Sequence, residues 1–311
     1  MRKYLQRLGV RLDTAGAPAR MRRVKCGWPA SASPGVAFHN TCKVQFRYRE
    51  AGAGPCIVFT ADPPMTLENY NELVAAFSAQ FRVIVVELPA MGFSVASEDF
   101  AFGFRETNDE IAQFVREVAG EGAILAFSCV AGLAGIDIAT RYPDLCSHLV
   151  LIQTGDVRSF ELWKAGRDPK GVLATPILGQ LAMKRLALKR MPAWYRLSVG
   201  KQELIDGLCT CAARSFSHGA QWSLASAYQC YMNANIALTA PVQPVLSIWG
   251  AGDRSHPSEN MHAIRSLALN AQQVTFADLG HTPELEDPRR VLSAVLEFLA
   301  EFGQVRERAT T

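Results

Sequence analysis

At 311 residues, 49 % of them hydrophobic and 20 % charged, the chain can bury one large α/β domain with an insertion, or two modest domains, and needs no disulfides to do so. The apolar run at residues 123–136 falls short of the roughly 20 residues that span a bilayer, and the chain opens on charge instead of an apolar signal segment. No membrane span is expected, and the expected compartment is cytoplasmic. The net charge of +3 is unevenly spread: residues 1–25 carry eight Lys and Arg against Asp13 alone, and residues 156–236 carry eleven basic against five acidic side chains. Such a surface suits solvent or an acidic macromolecular partner. With no zinc-finger, recognition-helix or aromatic RNA-binding motif, nucleic acid is not expected.

Residues 1–35 are basic and then rich in Ala, Pro and Ser (GWPASASPG), as in an extension whose order depends on docking. From residue 36 the pattern changes. KVQFRYREAG alternates like a strand, CIVFTA is a short apolar run, LENYNELVAAFSAQF has helical character, and RVIVVELPAMG is another apolar run. Helix-like NDEIAQFVREVAG, strand-like AILAFS, helix-like AGLAGIDIATRY and strand-like HLVLIQ follow. Strands alternating with helices at these lengths predict βαβ units and a parallel sheet. The rhythm stops over residues 157–240, where LGQLAMKRLALKRM, KQELIDGLCTCAARSF and WSLASAYQCYMNANIAL predict an all-helical insertion. It returns at PVLSIWGAGD and runs through helix-like ENMHAIRSLAL and strand-like QQVTFADLGH to a final helix, DPRRVLSAVLEFLAEF. The expected layout is a basic extension (1–35), a core (36–156 and 241–303) interrupted by the insertion, and a tail (304–311).

Five local motifs then fall in a telling order: VIVVELPAMGFS, LAFSCVAG, IATRYPD, WGAGD and LGHTPELEDP. They resemble the strand and turn after the oxyanion loop, the nucleophile elbow, the end of the helix behind it, the acid-bearing strand end and the histidine loop of the α/β-hydrolase-fold superfamily. Glu87, Pro89, Gly92 and Ser94 stand in matching places of the first. The resemblance covers roughly residues 36–303. It implies a mostly parallel sheet flanked by helices, with the all-helical insertion as a lid.

Two candidate nucleophiles, Ser128 and Cys129, sit side by side at the elbow. An elbow holds its nucleophile at strained dihedrals and wants small residues two positions away on either side. Cys129 has Phe127 and Ala131 there; Ser128 has Ala126 and Val130. The following helix favours Cys129, because its sheet-facing positions +2, +3, +6 and +10 are then Ala131, Gly132, Gly135 and Ala139, whereas counting from Ser128 they include Val130 and Ile138. His281, in the histidine loop, is the expected general base. The other histidines (39, 148, 218, 256 and 262) read as surface or packing residues. Two carboxylates compete for the third place: Asp253, ending LSIWGAGD, and Asp156, just past HLVLIQ, where polyketide and nonribosomal-peptide thioesterases and the Dieckmann cyclases that resemble them place their acid. Either could orient the imidazole, and Asp253 occupies the superfamily's common position. The oxyanion donors implied by the resemblance are the N–H groups of Val130 and Asp62, the latter following Thr60-Ala61 where the superfamily usually carries His-Gly.

A cysteine here implies an acyl-S-enzyme intermediate, formed by a thiolate that a neighbouring His and a helix N-terminus help to generate. Its thioester is nearly isoenergetic with a thioester on coenzyme A or a carrier protein, which favours acyl transfer. The expected activity is therefore that of a thioesterase, acyltransferase or cyclase on a small-molecule acyl substrate, with an acidic acyl carrier protein suited to the basic insertion. The alternatives are a carboxylic-ester or lactone hydrolase and a non-catalytic binding protein of the same fold. Trp194, Trp222 and Tyr228 are the expected substrate-contacting side chains. No cofactor and no metal are expected: the eight cysteines lack CxxC spacing, and Cys209 and Cys211 have no histidine at ligand spacing.

Overall fold

The computed structural model describes residues 2–256 and 258–309. Its centre is a run of strands that carry the sequence's apolar stretches: β1 (Val36–Asn40), β2 (Val44–Ala51), β3 (Cys56–Ala61), β4 (Arg82–Glu87), the two-residue β5 (Val95–Ala96), β6 (Ala123–Ser128), β7 (Cys146–Ile152), β8 (Val245–Gly250) and β9 (Gln272–Phe276). They form one sheet in the order β1-β2-β4-β3-β6-β7-β8-β9, with β5 pairing to β2. Pairing is parallel from β4 through to β9 and antiparallel among β1, β2, β4 and β5. Crossover helices must cover both faces of such a sheet, so its strands bury both sets of alternating side chains.

That alternation is visible in the core. Val58, Ile84, Val86, Leu125, Phe127, Leu149 and Leu151 face one layer, which includes Ile111 and Phe114 of α4 (Phe104–Phe114) and Leu133 and Ile136 of α5 (Val130–Arg141). Their sequence neighbours Ile57, Phe59, Val83, Val85, Ile124, Ala126, Val150 and Ile152 face the other. There they meet Leu73, Val74 and Phe77 of α3 (Asn71–Phe77) and, beyond the short α10 (Pro283–Glu286), Val291, Val295 and Phe298 of α11 (Pro288–Ala309). Since α11 continues to Ala309, residues 304–309, expected as a tail, extend the final helix; residues 310 and 311 lie outside the described residues.

Between β7 and β8 the chain is helical: α6 (Val157–Arg167), α7 (Leu178–Ser198), α8 (Ile205–Ser217) and α9 (Leu224–Ser226), the last continuing as a π-turn to Met232. The basic extension docks onto these elements as α1 (Arg2–Thr14) and α2 (Ala17–Cys26). Asp13, the lone acid of that extension, is fully buried and meets Lys184 of α7 at 2.9 Å and the Ser226 hydroxyl of α9 at 2.7 Å. Among the described residues no helix is long and apolar enough to cross a membrane.

Candidate active site

Parallel strands deliver their carboxyl ends to one edge of a sheet, and the crevice outside that edge is where such folds bind ligands. Asp62 follows β3, Cys129 follows β6, Gln153 follows β7, Asp253 follows β8 by three residues and His281 follows β9 by five. Cys129 sits between strand and helix with φ 54° and ψ −128°, a region that a non-glycine residue occupies only under strain. Its N–H is held by the Ile152 carbonyl at 2.8 Å. Phe127, the bulky residue two positions earlier, is accommodated at Gly135: a Cβ at that glycine would lie 3.3 Å from the Phe127 ring.

The two adjacent nucleophile candidates point apart. Ser128 is buried, its hydroxyl donating to Glu284 Oε1 at 3.2 Å and its N–H to Thr60 Oγ1 at 3.1 Å. Cys129 Sγ instead shares a cluster with Asp62 and His281 in which one donor atom from each lies within 4.8 Å of the others.

Of the two competing carboxylates, Asp253 is the one bonded to the imidazole, Oδ2 lying 2.8 Å from His281 Nδ1. Asp156 is engaged elsewhere: it caps α6 by accepting from Ser159 N–H at 2.8 Å, and its other oxygen accepts from the Ser266 hydroxyl at 3.2 Å. Asp253 is further held by Gln153 Nε2 at 3.1 Å and by the Ser255 N–H at 2.7 Å.

His256 lies in this network, contrary to its reading as a surface or packing residue. Its Nδ1 is 2.8 Å from Asp253 Oδ2, its ring stacks on His281 at 4.6 Å between centroids, and Trp163 stacks on its other face at 5.6 Å. Nothing in the sequence surrounding His256 marks it except its place three residues after Asp253. Glu284 lies within the histidine-loop motif LGHTPELEDP, which assigns it no role of its own, and Trp163 and Arg167 stand outside every motif.

Asp62 also departs from its expected role. Its N–H, expected to face an oxyanion, is 3.1 Å from the Tyr70 hydroxyl, and its carboxylate stands 3.2 Å from His281 Nε2. The imidazole thus lies between two carboxylates. Burial opposes its charge, but Cys129, Asp253 and Asp62 together raise its pKa well above the ordinary imidazole value. Burial is also the main force raising the Cys129 thiol pKa, aided by Asp62 and opposed by His281 and the Val130 N–H. For Asp253 burial is outweighed by the two histidines, and its pKa falls below the usual carboxylate value. Among the described residues, Asp62–Cys129–His281 and Asp253–His256–His281 are the sets whose donor atoms converge as a metal site would require, yet His281 is common to both and already engaged at both nitrogens. The charge network accounts for both sets without an ion.

Beside the thiol lies a cavity of about 310 Å³, walled largely by residues of the lid and mainly apolar, with Arg167 and Arg190 also lining it. Trp194 and Tyr228, two of the three expected substrate contacts, line it. Trp222 does not: it is 41 % exposed and packs with Lys184 Nζ over its ring at 4.1 Å, on the side covered by the N-terminal helices.

An alpha/beta hydrolase family model matches residues 54–294. The chain belongs to that family. Among curated relatives, the bifunctional biotin-biosynthesis protein BioHC of Teredinibacter turnerae is 22 % identical over 237 residues, covering 73 % of this chain but only 40 % of that protein. An uncharacterized hydrolase of Saccharomyces cerevisiae is 23 % identical over 265 residues, covering 76 % of this chain and 87 % of its own. The fold is that of a Bacillus megaterium epoxide hydrolase solved with an inhibitor (17 % identity, TM-score 0.62, 85 % of this chain and 100 % of that one). It is equally that of a thermophilic esterase from Thermogutta terrifontis (19 % identity, TM-score 0.62, 86 % and 98 %).

Proposed function

We propose that this α/β hydrolase is an acyl-transfer enzyme that works through an acyl-S-Cys129 intermediate, releasing acyl groups from thioester donors. The observation that carries this reading is the strained Cys129 turn, which presents the thiol to His281 and the cavity while the neighbouring Ser128 hydroxyl is turned to Glu284.

In the reactive form the thiolate of Cys129 faces the protonated imidazole of His281. The sulfur attacks the acyl carbonyl, and the carbon–sulfur bond to the leaving group breaks as His281 gives that group its Nε2 proton. The imidazole, kept in orientation by Asp253, then takes a proton from water or another acceptor as that acceptor attacks the enzyme thioester, restoring thiolate and imidazolium. Val130 N–H, at the start of α5, supplies one donor to the developing oxyanion. Since an S-acyl enzyme and a thioester donor differ little in free energy, acylation is reversible and the acceptor decides the product.

The lid supports a carrier-borne donor. Helix α7 exposes Arg185, Lys189, Arg190 and Arg196 and contains no acidic residue, a surface complementary to an acidic acyl carrier protein. Oxygen-ester hydrolysis fits the same centre as well, with water as acceptor and an alcohol as leaving group.

Intact-protein mass spectrometry after brief mixing with a panel of acyl thioesters and esters separates these readings. An adduct is expected on the parent and on Ser128→Ala, and none on Cys129→Ala. Adducts from oxygen esters alone would favour the ester hydrolase. Absence of any adduct or turnover on the parent would overturn the acyl-enzyme.

A further inference from the structure

Among the described residues Arg47 and Lys164 are buried and matched, while Arg49, outside the cavity, bonds Asn71 yet leaves its Nε without a partner. Arg47, fully buried, bonds Glu87, Glu68 and the Pro29 carbonyl, and Lys164 bonds the Met232 carbonyl, Glu161 and Asn233. Arg167 is the exception among the described residues that line the cavity. It stands in the last turn of α6, its guanidinium 5.6 Å from the Trp163 ring centroid, and its Nη2 is buried without a hydrogen-bond partner. It lines the same cavity as Cys129 and His281. A buried guanidinium nitrogen without an acceptor is costly, and the cost is recovered when an anion supplies one. Burial lowers the Arg167 pKa, and Asp253 and Cys129 oppose that effect electrostatically.

We propose that Arg167 binds a carboxylate carried by the acyl group, so that the cavity selects acyl donors derived from short dicarboxylic acids: half-esters or half-thioesters with one free carboxylate. The apolar lining of the same cavity, which includes Leu173, Met183 and Met232, would then take the methylene chain between the two carboxyl carbons. The planar fork of arginine suits bidentate recognition of a carboxylate, and its stacking on an indole holds the fork in place. This assignment rests on the cavity being the acyl site proposed above, but it is testable without turnover.

Cys129 is alkylated with iodoacetate and iodoacetamide, which differ by one carboxylate, and the ratio of the two rates is followed by intact mass. The parent should favour iodoacetate by at least about tenfold relative to a free thiol, Arg167→Met should lose that preference, and Arg167→Lys should recover part of it. Matching melting temperatures would show that all three proteins are folded. An unchanged ratio in Arg167→Met overturns the proposal. So does an equal fall in both alkylation rates, which would make Arg167 a general support of the thiol. If neither reagent labels Cys129, the thiol chemistry fails, and calorimetric titration with glutarate decides Arg167 alone. Binding that weakens about tenfold in Arg167→Met supports the carboxylate site. No binding, or displacement of the ligand by inorganic phosphate with no discrimination, overturns it.

Discussion

Cys129 is surrounded by groups with opposite effects. His281 and the Val130 N–H favour its ionisation, while burial and the Asp62 carboxylate oppose it. The thiol is therefore expected to ionise above the ordinary thiol range, so its alkylation by iodoacetamide should speed up with rising pH to a point beyond that range. Replacing Asp62 with Asn removes one opposing charge and should move that profile to lower pH by about one unit or less. A shift to higher pH in Asp62→Asn would instead make Asp62 a proton acceptor for the thiol. At this scale the sequence was partly legible. The order of Cys129, Asp253 and His281 could be read from motifs, and the small residues of the elbow helix pointed to Cys129 over Ser128. Phe127 looked like an objection because the small-residue rule considers only positions near the nucleophile. Its ring finds room at Gly135, one and a half turns into the helix. The role of Asp62 could not be read, because it depends on Tyr70 capturing its N–H and so turning a backbone donor into a side-chain contact.

Among the elements, the loop after β9 depends on backbones that touch. A Cβ on Gly280 would lie 2.1 Å from the Ser198 carbonyl oxygen and 2.4 Å from the Gly200 nitrogen, both main-chain atoms that cannot swing aside. His281 N–H bonds that same Ser198 carbonyl at 2.7 Å, so the end of α7 fixes where the histidine begins. Gly280→Ala should displace the imidazole by a fraction of an ångström to an ångström and reduce the rate of acyl-enzyme formation by about 100-fold, measured by rapid-quench mass spectrometry. An unaltered rate would show that the loop relaxes elsewhere. The long buried strands and the helices between them were legible because their apolar runs had the right lengths and their boundaries carried Gly and Pro. Strand β1 was not, since VAFHN lies at the sheet edge, half exposed, and needs no alternating pattern. The helix expected over LENYNELVAAFSAQF divides into a 3₁₀ turn at Leu67–Tyr70, whose start Thr66 and Asn69 cap together, and α3.

In the whole molecule, stability should carry the imprint of Glu284. Burial raises this carboxyl to about 8, whereas in the unfolded chain it titrates near the ordinary glutamate value of about 4.3. Between these two values the folded state holds a proton that the unfolded state has released. Stability therefore declines as pH rises across that window and levels off above the folded value. Glu284→Gln keeps an acceptor for Ser128 and removes the titration, so its melting temperature should fall less than the parent's between pH 5 and 8, an interval of about three units. Parallel curves for the two proteins would assign the pH dependence to other groups.

The buried contact between Asp13 and Ser226 joins residues 213 positions apart. On a ribosome adding about 5–20 residues per second, the basic helix that carries Asp13 emerges roughly 10–40 s before the lid segment it is built to hold. During that interval strands β1 to β7 can pair and the helices between them can pack, but Ser226 does not yet exist for Asp13 to meet, and Lys184 appears only late in it. The helix that braces the roof of the cavity is thus an early product of synthesis and a late arrival in assembly.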